Sequence, residues 1–547
     1  MSGCTDKIAP FNGEVVQMTY EQTFLSNDEV YNSELFYVNN LKVKIADPTI
    51  IYITEGKDAG WYYAYGTSDM LGCRGTQGWR SKNLSDWELV GIVLRPDFEN
   101  GWADKNFWAP EVIYDEEEKL YYMFYTASNN NDSERLAISV AYSENPDDPF
   151  IHPDGFENAD GKQMNISEPV YNFTSSNPIV AEFFENNPSF EADRVLDPCA
   201  FIDPVSGEKY LYFSYNYSPT VLCSICGVKM KDWFTPDYST LTRLTAPNYL
   251  TVKGAEKGIE RQHREELDVN EGAFMLYHNG RYYLTMSIYQ YDLPQYKVVQ
   301  AIGDSPLGSF EKLEYEDGGI VISTSEDWNH IVSSGHHSFF KCGDELMIAY
   351  HTFMNRSNIN GGRALAVDRV VWTENPDGTD VLHTNGPTWS VQPLPQTISG
   401  YTNIAPEAEI LADNTSFGNN KGLIADGLVK LKKDDLAEEY NLKSGESVIR
   451  LEWDDYRTIR GLLIYNSYDY SKAFETVERI EFECDGYIST IKKLEFDSKW
   501  NTEDEGEFIR PAGAAAAEFD EISAKSVTIT FESENELSIG EIIILGK

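Results

Sequence analysis

The chain of 547 residues carries 44 Lys and Arg against 89 Asp and Glu, a net charge of −45 that repels phosphate backbones and anionic lipid and so argues against nucleic-acid and membrane-surface roles. No run of about 18 apolar residues occurs, so no transmembrane segment is read. The length exceeds one ordinary core, and 34 Tyr with 27 Phe favour strands over helices and supply rings on which sugar faces stack.

In chain order, MSGCTDK comes first and resembles the end of a bacterial lipoprotein signal, with Cys4 as the lipidated residue. That resemblance implies an extracytoplasmic location, secreted or lipid-anchored. Residues 1–39 are read as a lead-in with no domain of their own. The seven cysteines are scattered and odd in number, which is no disulfide framework. Cys223 and Cys226 lack two further ligands nearby and read as buried thiols.

From residue 40 a pattern recurs five times. DPTIIY at Asp47, APEVIY at Ala109, DPCAFID at Asp197, EGAFMLY at Glu271 and HHSFFK at His336 each precede a turn and an aromatic strand. A third strand follows in most units, as in LAISVAYS from Leu136 and RALAVDRVVW from Arg363. Five units of three or four antiparallel strands predict a five-bladed β-propeller over residues 40–395. Each blade buries its two faces only against its neighbours, so the ring must close.

The first strand of a propeller blade lines the central channel, and in this register its opening residues are Asp47, Ala109, Asp197, Glu271 and His336. Three carboxylates near one axis repel one another and raise at least one pKa, which folding alone would not favour. Three readings stay open at this point. They are acid–base hydrolysis of a glycosidic bond, a metal site, and a sugar-binding propeller without catalysis.

ADPTII at Ala46, NFWAPEV at Asn106, LDPCAFID at Leu196, NEGAF at Asn270, SGHHSF at Ser334 and GRALAVDRVVW at Gly362, taken in order, resemble glycoside hydrolase family 43. The resemblance implies an inverting hydrolase acting on a poly- or oligosaccharide. It implies Asp47 as general base, Glu271 as general acid, and Asp197 as the carboxylate that raises the pKa of Glu271. It further implies Arg363 at the substrate, and His336 near an axial metal ion, often Ca²⁺, held largely through water. Trp108, beside the opening residue of the second unit, is a candidate platform on which the sugar stacks. No organic cofactor is implied. Among activities, α-L-arabinofuranosidase ranks first, with β-xylosidase and galactan-directed hydrolysis as alternatives. The segment Ile151–Arg194 is a long insertion between the second and third units.

After a linker near residues 392–402, alternating strands such as SVIRLEWD, TIRGLLIYN and GEIIILGK predict a β-sandwich over residues 402–547. The fold class is therefore all-β, a propeller followed by a sandwich of jelly-roll type. NIAPEAEILADNTSF, then IADGL, then a final SIGEIIILGK resemble discoidin-type modules, which implies carbohydrate binding and a structural Ca²⁺ at Asp426 and Glu541.

Overall fold

The computed structural model describes residues 14–22, 33–129, 132–186, 194–217, 222–245, 269–324, 331–353, 362–416, 420–432, 435–496, 499–502 and 506–547. Cys4 lies outside them. No helix among them is long and apolar enough to cross a membrane.

Five antiparallel sheets follow one another along the chain and form a five-bladed propeller. Blade I runs Ala46–Tyr52, Tyr62–Thr67, Thr76–Ser81 and Trp87–Leu94. Blade II runs Lys105–Asp115, Leu120–Asn129 and Asp132–Ser143. Blade III is built on Val195–Ile202, Lys209–Tyr217 and Leu222–Asp232. Blade IV is built on Asn270–His278, Arg281–Ile288 and Lys297–Gly303. Blade V runs Val332–Cys342, Glu345–Phe353, Ala364–Glu374 and Asp380–Thr384. The strands owe their boundaries to turn chemistry. In blade IV the hairpin tip is Asn279–Gly280, with φ of 45° and 84°. Two successive left-handed residues match the twist of the strands they join, and Asn-Gly is the pair that adopts them most readily.

The abundant tyrosines are explained by the gaps between blades. Each gap is filled by its own apolar cluster. Tyr63, Tyr65 and Tyr125 pack between blades I and II, and Phe124, Phe213 and Tyr215 between II and III. Tyr212, Leu284 and Met286 fill the next gap, and Val298, Ile348 and Tyr350 the one after. Ile50, Tyr62, Phe340 and Met347 join blade V back to blade I and close the ring. Each large apolar side chain so buried contributes roughly 1.5–3 kcal/mol.

The insertion carries a helix, Pro178–Asn186, and caps the seam between blades II and III with Met164, Val170, Tyr171 and Phe173. The Tyr171 hydroxyl donates to the Trp233 carbonyl at 2.5 Å, and Tyr215 donates to the Phe173 carbonyl at 3.1 Å.

Beyond the propeller, ten strands among the described residues make one continuous sheet over a large apolar core. Its longest members are Gly445–Asn466 and Ala514–Ser533. The run Leu462–Tyr465 is apolar without alternation because both of its faces are covered. Leu462 and Ile464 enter the sandwich core, whereas Leu463 and Tyr465 pack with Leu35, Phe36 and Val391. The N-terminal segment joins this unit. Glu14–Gln17 pairs in parallel with Tyr487–Ile491, and Tyr20–Gln22 pairs with Ala514–Ser533. Phe36–Val38 then pairs with Val391–Pro393, beside the chain's exit from blade V.

Candidate active site

The first strand of every blade contains the same irregularity. Pairing with the second strand slips between Ala46 and Thr49, Trp108 and Glu111, Leu196 and Cys199, Glu271 and Phe274, and Gly335 and Ser338. Each slip is a β-bulge whose first residue has a left-handed backbone: Asp47 (φ 49°), Ala109 (43°), Asp197 (58°), Gly272 (58°) and His336 (45°). Four of the five are not glycine, and such strain persists where the surroundings over-determine it. This alignment corrects the sequence register by one residue in blade IV. Glu271 is not the counterpart of Asp47 and Asp197. That place belongs to Gly272, and Glu271 stands where blade II has Trp108. A Cβ on Gly272 would come within 3.1 Å of the His336 ring, so the backbone angle and the close approach both require glycine there.

The bulge amides reach sideways to the preceding blade. Ala109 N–H donates to Thr67 Oγ1 at 2.8 Å, Asp197 N–H to Thr126 Oγ1 at 2.9 Å, and His336 N–H to Ser287 Oγ at 2.8 Å. The Asp47 amide faces His351 Nδ1 at 3.2 Å. These acceptors occupy equivalent places on the second strands, opposite the residue before each bulge. The pattern is interrupted once. Ser214 Oγ, the matching atom of blade III, is buried with no hydrogen-bond partner among the described residues, and the Gly272 N–H binds the Asp197 carboxyl instead.

Asp47, Asp197 and Glu271 are thereby gathered at one end of the channel, on three blades. Asp47 and Asp197 are only 7% and 5% exposed, and Glu271 is partly exposed. Their electrostatics diverge. Burial opposes the Asp47 charge. Arg363 Nη1 at 2.9 Å, His336 Nδ1 at 3.2 Å and His351 Nδ1 at 3.1 Å from its Oδ1 more than offset that and hold it well below the usual carboxylate range. Thr67 donates to Oδ2 at 2.6 Å. Asp197 is pushed well up, by burial first and then by the Glu271 and Asp47 charges. Burial, reinforced by Asp47, lifts Glu271 to about 7 against a lowering hydrogen bond from Tyr296. Repulsion between Asp197 and Glu271 is mutual, so each makes the other easier to protonate. One carboxylate stays ionised and its neighbours retain protons, which is the division of labour that acid–base catalysis needs.

Arg363 is clamped. Besides Asp47 it binds Asp69 through Nη2 at 3.2 Å and Nε at 3.3 Å, and its guanidinium lies 4.7 Å from the centre of the exposed Tyr291 ring. Trp108 is partly buried against Leu136, Leu196, Cys223 and Val269, and hydrogen-bonds the half-exposed Cys73 thiol. Asp69, Tyr291, Tyr296 and His351 were not anticipated from the sequence. His351 had a signal. The second strands read YAYGT, YTAS, FSY and TMS where blade V reads AYHT, so an imidazole replaces a hydroxyl in an otherwise regular series.

For a directly coordinated ion at His336 the donors do not fit. Its Nδ1 faces Asp47, and no group of three or more metal-ligating side chains occurs among the described residues. In the second unit Asp426 and Glu541 do meet. They hydrogen-bond each other, Glu541 Oε1 accepts from the Gly427 amide at 3.0 Å, and its buried Oε2 has no partner among the described residues. Both carboxyls are raised by burial, Glu541 well above its usual range. These two would be the acidic ligands of an ion there.

The family model for glycosyl hydrolases family 43 matches residues 40–167 and 161–379. The chain belongs to glycoside hydrolase family 43. It is an inverting enzyme of O-glycosyl bonds, and its substrate class is polysaccharide. A thermostable family-43 glycoside hydrolase of known structure is 28% identical, with a TM-score of 0.50 over 66% of this chain and 99% of that one. An endo-1,4-beta-xylanase from Bacteroides thetaiotaomicron is 23% identical (TM-score 0.45, 67% and 97% covered). An alpha-L-arabinofuranosidase from Lactobacillus brevis is 21% identical (TM-score 0.44, 63% and 95% covered). A search of curated proteins gave no match.

Proposed function

We propose that this family-43 enzyme is an exo-acting α-L-arabinofuranosidase in which Asp47 is the general base and Glu271 the general acid. The observation that carries the assignment is the electrostatic split within one pit. Asp47 is held ionised chiefly by Arg363, so it is ready to take a proton from water. Glu271 is lifted to about 7, so it still holds a proton to give to the leaving oxygen near neutrality. Asp197 acts through mutual repulsion: a charge on either Asp197 or Glu271 opposes ionisation of the other, which favours a proton on the acid. In a single displacement, water attacks the anomeric carbon as its proton passes to Asp47. The glycosidic bond breaks as Glu271 protonates the departing oxygen, and the free sugar leaves with inverted configuration. Arg363, already locked to Asp47 and Asp69, serves to aim the base, and Trp108 forms one wall beside it.

A screen of 4-nitrophenyl α-L-arabinofuranoside, β-D-xyloside and β-D-galactoside tests the reading, with NMR of the first-formed anomer in the same tube. Turnover of the arabinofuranoside with inversion is expected. Turnover of the xyloside alone, with no arabinose release, contradicts the substrate assignment.

A further inference from the structure

Tyr296 stands just before the third strand of blade IV and is fully buried, yet its hydroxyl meets the catalytic pit. It donates to Glu271 Oε1 at 2.9 Å and is the one hydrogen-bond partner of that side chain among the described residues. The phenol cannot be swapped for a base in this role. Burial, followed by the Glu271 charge, raises it well above the normal tyrosine range, so it keeps its proton at any working pH. Its own oxygen is engaged by Ser287, whose Oγ also accepts the His336 amide.

The ring is held as firmly as the hydroxyl. A Cβ on Gly335 would lie 2.4 Å from the Tyr296 ring, so Gly335 leaves the space that the ring fills. On its other side the ring stacks on His351, with centroids 5.6 Å apart and planes 13° from parallel. His351 in turn touches Asp47. A continuous path of packed groups therefore runs from one carboxyl to the other, from Glu271 through Tyr296 and His351 to Asp47.

We infer that Tyr296 is the positioning residue of the acid: its permanent donation to Oε1 confines the transferable proton of Glu271 to Oε2, and its stacking on His351 fixes the acid relative to Asp47. This rests on Glu271 being the acid. A carboxyl oxygen that already accepts a hydrogen bond is the poorer place for a proton, so the other oxygen carries it. The titratable and charged groups facing Glu271 are Asp197, Asp47, Arg363 and the Cys223 thiol, besides Tyr296 itself.

The test compares Tyr296→Phe with Glu271→Gln and wild type on aryl glycosides of graded leaving-group acidity, across pH. Phenylalanine keeps the ring against Gly335 and His351, and an unchanged melting curve checks the fold. Tyr296→Phe is expected to lower kcat on poor leaving groups by at least tenfold and on 2,4-dinitrophenolate far less, with KM little changed. Its alkaline limb should move upward, because the bond that favours the Glu271 anion is gone. A loss equal for all leaving groups with an unmoved limb overturns the inference. If Glu271→Gln leaves poor substrates fully active, the acid assignment itself has failed, which is a separate outcome.

Discussion

Arg363 decides the state of the base. It is the first of the groups that hold Asp47 below the normal carboxylate range, and its planar fork reaches Asp47 and Asp69 at once. A lysine has the charge but not the fork. Arg363→Lys should therefore raise the Asp47 pKa, moving the acid limb of kcat/KM upward by more than the alkaline limb, since Arg363 lowers Glu271 too but less than it lowers Asp47. The sign follows from which form is active: Asp47 works as the anion, so a higher pKa costs activity at the acidic end. A pH–rate profile on one aryl glycoside checks it, and an unmoved acid limb contradicts the role given to Arg363. Gly272 supplies a second residue-scale prediction. Gly272→Ala meets both a left-handed backbone and the His336 ring 3.1 Å away. It should destabilise by about 1–3 kcal/mol and reduce kcat, because His336 must shift from Asp47. Denaturant melts alongside kinetics measure both.

At the scale of the element, the five bulges tie channel to blade. Each places a left-handed residue at the pit and turns its amide toward the blade before it. Thr126 makes the point most simply, since it receives the Asp197 amide and both are buried. Thr126→Val keeps the shape and leaves that amide unpaired, for an expected loss of about 1–3 kcal/mol. Ser214→Ala, at the equivalent place but with its hydroxyl unpartnered, should cost clearly less. Comparable losses for the two would refute the account of the ring. The five repeats and the Asp-Pro starts were readable in the sequence because strands, turns and aromatic alternation are local properties. The blade IV register was not, since NEGAF offers two adjacent candidates and only the bulge shows that Gly272, not Glu271, takes the left-handed place. Asp69 and Tyr296 were equally out of reach, because Asp69 meets Arg363 across blades and Tyr296 meets Glu271 within blade IV but 25 residues away, through contacts that no local pattern encodes.

The whole molecule is joined at its two ends. Residues 14–22 complete the C-terminal sheet, while Leu35 and Phe36 fill the space between that sheet and the exit of blade V. The sequence placed this lead-in at no particular edge, since a short amphipathic stretch pairs with whatever strand the fold leaves open. Deleting residues 1–22 should expose the edge at Tyr487–Ile491 and speed proteolysis of the C-terminal unit. Hydrolysis of a small aryl glycoside should stay within about twofold of the full chain, because the pit is built from blades alone. Equal sensitivity of both units to protease would argue that they fold as one.

The central claim is that Glu271 delivers the proton and Asp47 receives one within a single pit. It is tested most directly by the pH dependence of kcat/KM for wild type and Glu271→Gln on a 2,4-dinitrophenyl glycoside and its 4-nitrophenyl counterpart. The prediction is that wild-type hydrolysis of the 4-nitrophenyl substrate declines above pH about 7, whereas Glu271→Gln loses that decline, keeps the activated substrate and sacrifices about 10²–10⁴ in rate on the other. An alkaline decline that persists unchanged in Glu271→Gln would contradict it.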